Sequence, residues 1–216
     1  MTFGKSTDSS PLRLPALLLI WLFLPDLAPT SLAQPPPQFE GAAASPGWNM
    51  EQLIGSLAKN RQAEVRFEET AFSSLLTQPV KTRGILRFTP QAGLEKHITV
   101  PHDERYLVEG DTVIFESKTK GTSRTLSLHD YPALRAFIEA FRSTLANDVI
   151  TLKRFYNVTL EGEPRRWVLM LRPLDKAVQE LVESIRFSGE RESLDSIEIQ
   201  APGGDRSVMV ITTGAP

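Results

Sequence analysis

The chain reads as an α+β fold that is mostly β: one long antiparallel meander of about eleven strands, curled so that its concave face is apolar, with a helix before it and another in its middle. Three observations predict this. Beyond Ala63 apolar and polar residues alternate with the period of two that a half-buried strand requires. Turn-forming residues separate these segments, and nearly all the connections are short. The alternation is interrupted once, between Asp130 and Asn147, by a helical period.

The first 33 residues have the make-up of a secretory signal. Lys5 and Arg13 form a positive flank, Leu14 to Leu24 is an apolar run too short to span a bilayer comfortably, and Ser31-Leu32-Ala33 is a small-residue cleavage site. An uncleaved N-terminal anchor is the competing reading. Export with cleavage after Ala33 predicts that N-terminal sequencing of the exported protein begins at or near Gln34. Full-length protein found only in membranes would overturn it. Residues 34–47, with Pro35-Pro36-Pro37 and Gly41-Ala42-Ala43-Ala44, read as a flexible or partly extended Pro/Ala-rich leader, and one domain is expected over 48–216.

Trp48 to Lys59 predicts a short helix with Trp48, Leu53, Ile54 and Leu57 on its apolar side, although Gly55 weakens it. Val65, Phe67 and Ala71 then face one way on a first strand. Val80 to Phe88 follows with Leu86 and Phe88 opposed to Lys81, Arg83 and Arg87, and Pro90 stops it. Leu94–Val100 comes next, then Arg105–Val108 and Thr112–Glu116 around the Glu109-Gly110-Asp111 hairpin signal, then Thr122–Leu128. After the central helix the expected strands are Val149–Leu160, Arg165–Arg172, Leu181–Phe187, Leu194–Gln200 and Ser207–Thr212.

In the central helix Leu134, Phe137, Ile138, Phe141 and Leu145 form one apolar stripe. Asp130 is the expected N-cap, Pro132 suits the first turn, Asn147 can end the helix, and Arg135 and Glu139 are spaced to pair. Such a helix in a β protein covers something. It either plugs the core of a curved sheet or forms a lid over an apolar cavity.

Composition narrows the chemistry. The net charge of −2 gives no electrostatic case for nucleic acid or an anionic membrane. There is no cysteine, hence no disulfide, no thiol nucleophile and no lipid-bearing cysteine. His97, His102 and His129 are the only histidines, read as solvated loop residues; they lack helical metal-site spacing, and no Gly-x-Ser-x-Gly elbow presents a nucleophile. Glu68 and Glu69 point to opposite faces of a strand, so they are no acid/base pair, and Glu69 faces inward beside Phe67 without an evident reason. The expectation is a protein that is not an enzyme, with no catalytic residues, no metal and no cofactor.

Three stretches resemble the LolA family of periplasmic carriers of outer-membrane lipoproteins. They are the strand Val65-Arg66-Phe67-Glu68-Glu69, the run Gly84-Ile85-Leu86-Arg87-Phe88-Thr89-Pro90, and the hairpin Val108-Glu109-Gly110-Asp111-Thr112-Val113-Ile114-Phe115-Glu116, followed by a helix that interrupts the sheet. The resemblance spans about 48–213. It implies an unclosed half-barrel under a helical lid, whose apolar interior shields acyl chains between an inner-membrane export complex and an outer-membrane receptor. Each buried methylene is worth about 0.8 kcal/mol, so such chains need cover to cross water. The family's receptor is anchored through a cysteine, so this chain resembles the soluble carrier, a periplasmic monomer. Phe67, Leu86, Phe88, Phe137, Phe141, Trp167 and Leu169 are the expected cavity residues, each equally able to be plain core. The family carries an arginine before the proline that ends the second strand, and it bonds to the lid; here that lid-lock position is Thr89, with Arg87 two residues back. A carrier of other lipids or acylated pigments for an envelope exporter is the alternative, a scaffold protein or a hydrolase the weaker ones.

Overall fold

Residues 48–60, 64–89 and 93–212 are described by a computed structural model. The expected signal segment, the leader and Pro90 lie outside them. Helix α1 (Met50–Asn60) starts at a reciprocal cap: Gln52 N donates to Asn49 Oδ1 at 2.9 Å, and Asn49 N to Gln52 Oε1 at 3.3 Å. Leu53, Ile54 and Leu57 give it a fully buried face.

The strands follow as β1 (Glu64–Phe72), β2 (Val80–Thr89), β3 (Gly93–Val100), β4 (Glu104–Glu109), β5 (Thr112–Ser117) and β6 (Thr122–Ser127). Beyond the central helices come β7 (Tyr156–Glu163), β8 (Arg166–Pro173), β9 (Ser184–Glu190), β10 (Ser193–Gln200) and β11 (Arg206–Thr212). All are antiparallel in one sheet ordered β6-β5-β4-β3-β2-β1-β11-β10-β9-β8-β7. The expected meander is therefore two meanders joined where β1 pairs with β11, Phe67 opposite Ile211. The free edges are β6 and β7, so the sheet is unclosed, and the chain between those edges is helical. Gly110 turns β4 into β5 at φ +54°, a conformation glycine adopts without penalty.

Helix α2 (Pro132–Ala146) occupies the expected position, with Pro132 in the first turn and Asn147 ending it in the left-handed region, φ 62°. Two details of it differ. Tyr131, not Asp130, is the N-cap residue, without a side-chain cap; the backbone N–H of Asp130 is taken by Ser127 O in the preceding turn. Glu139 pairs with Arg142 at 3.5 Å, one turn on, rather than with Arg135, which is exposed.

The expected strand from Val149 to Leu160 is a helix followed by a strand: α3 (Val149–Phe155) leads directly into β7. Its β-branched start favours a strand. Tertiary factors override that, because Asp148 Oδ1 accepts from Thr151 N at 2.9 Å and Leu152 is fully buried. Similarly the strand expected from Leu181 begins only at Ser184. Asp175 caps the short α4 (Lys176–Gln179), and Leu181 and Val182 belong to the turn closing it.

The main core joins α1 to the inner face of the sheet: Leu53, Ile54 and Leu57 pack with Trp167, Leu169, Leu171, Ile185 and Phe187. Trp167 lies against Gly189, where an added Cβ would stand 2.6 Å from the indole and 1.9 Å from Ser193 O.

Candidate functional site

The remainder of the concave face is not filled by protein. Between it and α2 lies a cavity of about 270 Å³. Its floor takes Leu86 and Phe88 from β2, Tyr106 and Val108 from β4, Val113 and Phe115 from β5, with Ile197, Met209 and Ile211 from β10 and β11. Its roof is the α2 stripe: Leu134, Phe137, Ile138, Phe141 and Leu145. An edge-on aromatic contact joins the two, Phe141 to Phe187 at 5.5 Å, and within the roof Phe137 meets Phe141 at 5.2 Å.

The burial of α2 is uneven around the helix. A plug buries its large apolar stripe in protein. Here Leu134, Phe137, Phe141 and Leu145 are only half-buried; of the stripe Ile138 alone is buried, together with the small residues Ala136, Ala140, Ser143 and Thr144. The helix packs through that small-residue side, where Tyr156 Oη donates to Ala136 O at 2.9 Å, and presents its bulky side to the cavity.

Of the residues singled out in the sequence, Leu86, Phe88, Phe137 and Phe141 line the cavity together with the rest of the α2 stripe. Phe67, Trp167 and Leu169 face the same way but lie in the packed core, away from the cavity wall. Trp167 is 0% exposed and its Nε1 donates to Arg191 O at 2.9 Å. Tyr106, Val113, Phe115 and Phe187, not among the residues singled out, do line it; the parity of β4, β5 and β9 carries that signal. Thr89 is exposed at the end of β2. Arg87 is held on the sheet by Glu64 (2.7 Å) and Glu95 (3.1 Å).

Among the described residues four charged side chains line the wall, Glu69, Lys96, Arg87 and Glu192, and the first two belong to one cluster. Glu69 accepts from Lys96 Nζ, from Ser207 Oγ and, at 3.4 Å, from Thr82 Oγ1, and all four side chains line the cavity. Burial opposes the charge on Glu69, but the Lys96 ammonium and the bonds from Lys96, Ser207 and Thr82 outweigh it and hold the carboxyl below its ordinary value. Burial, with Glu104 beside it, pushes the Tyr106 phenol up. The inward Glu69 thus has its reason in three strands that the sequence does not show to be adjacent.

The histidines differ in part from their expected loop positions. His97 is on β3, with Nε2 2.9 Å from Asp103 Oδ1, while His102 and His129 occupy turns. Among the described residues no group of three or more His, Asp or Glu is placed to hold a metal ion, and no helix is long and apolar enough to cross a membrane.

Comparison with known proteins supplies the family. No curated protein matches the chain. Among solved structures it is similar to the LolA superfamily protein NE2245 from Nitrosomonas europaea, at 11% identity and a TM-score of 0.39, covering 77% of this chain and 94% of that one. It is similar also to a domain named as an outer membrane lipoprotein-sorting protein from Vibrio parahaemolyticus (10%, 0.38, 78% and 95%). A third is LprF from Mycobacterium bovis (13%, 0.35, 77% and 93%). The model of the family described as outer membrane lipoprotein carrier protein LolA-like matches residues 42–216. The chain belongs to that LolA-like family.

Proposed function

We propose that this protein is a periplasmic carrier that shields the acyl chains of lipoproteins in its apolar cavity and passes them from an inner-membrane export complex towards an outer-membrane receptor. The observation that carries the reading is the bulky, half-buried face of α2 turned onto an apolar floor. A chain laid between them leaves water on all sides, at about 0.8 kcal/mol for each buried methylene. Membership of a carrier family supports a binding role over catalysis. Mass spectrometry of what co-purifies with the periplasmic protein tests it, and triacylated peptide is the expected result.

A second reading, a carrier of another envelope lipid, is favoured by the size of the cavity. At about 270 Å³ it is at the small end of ligand pockets, suited to one chain unless α2 moves outward. Free lipid in the same experiment selects this reading, and recovery of no lipid at all overturns both.

On its cavity side the roof is held by apolar contacts and not by an arginine from the end of β2, since Thr89 stands there and Arg87 is engaged with Glu64 and Glu95. Charged hydrogen bonds contribute about 1.5–3 kcal/mol each, so supplying one shifts a closed–open balance about ten- to a hundredfold. Thr89→Arg is accordingly expected to slow transfer of a bound acyl probe to an acceptor, with the fold unchanged. Equal transfer rates in parent and variant would show that this position does not control release.

A further inference from the structure

A carrier of bare hydrocarbon has no use for an ion pair in its cavity wall. Apolar residues of similar volume generally fill such a place with equal or greater stability, so Glu69 and Lys96 are not accounted for by folding. Nor are they at the rim: their side chains are 10% and 12% exposed. Lys96 pairs in register with Leu86 on one side and Tyr106 on the other, both in the cavity wall, and Phe67 lies 5.2 Å from its Nζ.

The chemistry of the cluster selects its complement. The Glu69 carboxylate is engaged by Lys96, Ser207 and Thr82, and it neutralises the ammonium charge. What the cluster offers the cavity is hydrogen-bond donation: an ammonium carries three N–H groups, and Glu69 directs it. An anion-binding hole would require unbalanced positive charge. A donor that is neutral as a pair suits a neutral acceptor, and in an otherwise apolar ligand the acceptor is the carbonyl oxygen at the head of an acyl chain. A charged donor makes the shorter and stronger class of such bonds.

We infer that Lys96, oriented by Glu69, binds the carbonyl oxygen of an acyl ligand and so sets how deep the chain enters the cavity. This rests on the acyl-carrier reading above. The same neutral carbonyl is present in an ester- or amide-linked chain and in a fatty acid bound in its protonated form.

The test uses pyrenedecanoic acid, its methyl ester and decylpyrene, followed by fluorescence on the mature protein. The ester, and the acid under mildly acidic conditions in which it is protonated, are expected to bind about tenfold tighter than decylpyrene, the scale of one net hydrogen bond to a charged donor. The double variant Glu69→Leu/Lys96→Met, an apolar replacement that leaves no orphaned charge, is expected to bind all three alike. Tighter binding of the acid than of the ester identifies a free fatty acid as the source, and parity identifies a linked chain. If the parent itself binds all three equally, the carbonyl site is wrong while the carrier reading stands. If it binds none of them, the carrier reading fails and this inference falls with it. The comparison within the parent decides the matter even if the double variant does not fold.

Discussion

Phe141→Glu is expected to abolish uptake of a fluorescent fatty acid. Phe141 touches Phe137 at 5.2 Å and Phe187 at 5.5 Å, and its ring forms part of the cavity roof. A carboxylate there faces the apolar side chains Phe137 and Phe187, at a penalty of several kcal/mol, and it repels hydrocarbon from the roof. Because lost folding would also remove binding, circular dichroism and thermal unfolding accompany the measurement. Arg135→Glu is the matched control, since Arg135 is exposed on the same helix and an added carboxylate there remains in water. Uptake lost in Phe141→Glu and kept in Arg135→Glu, with both folded, is the expected pattern. Full affinity in Phe141→Glu would mean that α2 does not cover the bound chain.

The second large effect concerns the wall rather than the roof. Lys96→Met removes one member of a largely buried pair and leaves the Glu69 charge without its counter-ion, held only by Ser207 and Thr82, a loss of about 3–5 kcal/mol at neutral pH. The sign of its pH dependence separates this from ordinary repacking. In the parent the folded-state carboxyl of Glu69 lies below its ordinary value. Its contribution is therefore complete above about pH 4.3 and declines as the pH falls through the folded-state value. In the variant the Lys96 attraction is gone and burial dominates, so the carboxyl rises and its penalty disappears on protonation. Urea midpoints of the two proteins are expected to lie far apart at pH 7 and to converge on acidification. An equal gap at both ends would show that lost packing, not stranded charge, causes the loss.

Sequence periodicity carries the strands, the α1 face and the α2 stripe because each is a local property of the chain. It assigns a residue to a face but not to a part of that face. Phe67, Trp167 and Leu169 share the concave side with Leu86 and Phe88, yet the former group lies in the packed core and the cavity opens on the latter. Which stretch of sheet a helix covers depends on tertiary packing, which alternation does not encode. The α3 segment was hidden for a related reason, its cap and the burial of Leu152 prevailing over a β-branched start. Glu69 is the clearest case. Its partners Lys96 and Ser207 are 27 and 138 positions away, so a charge that looks misplaced on β1 becomes reasonable only when β11 lies beside it and Lys96 reaches across from β3, beyond β2.

The pairing of β1 with β11 also governs the order in which this sheet can assemble. The seam at the middle of the sheet is its most non-local contact, joining Arg66 to Thr212. The segment from β1 to β6 can zip up from local hairpins, as can that from β7 to β11. Neither alone builds the Glu69 cluster, which takes Ser207 from the second half. Topologies dominated by such distant contacts fold slowly, because a long loop must close before the contact forms. A chain emerging N-terminus first therefore completes its cavity only after β11 has followed. Shortening it by that one strand divides the sheet at its centre instead of trimming an edge.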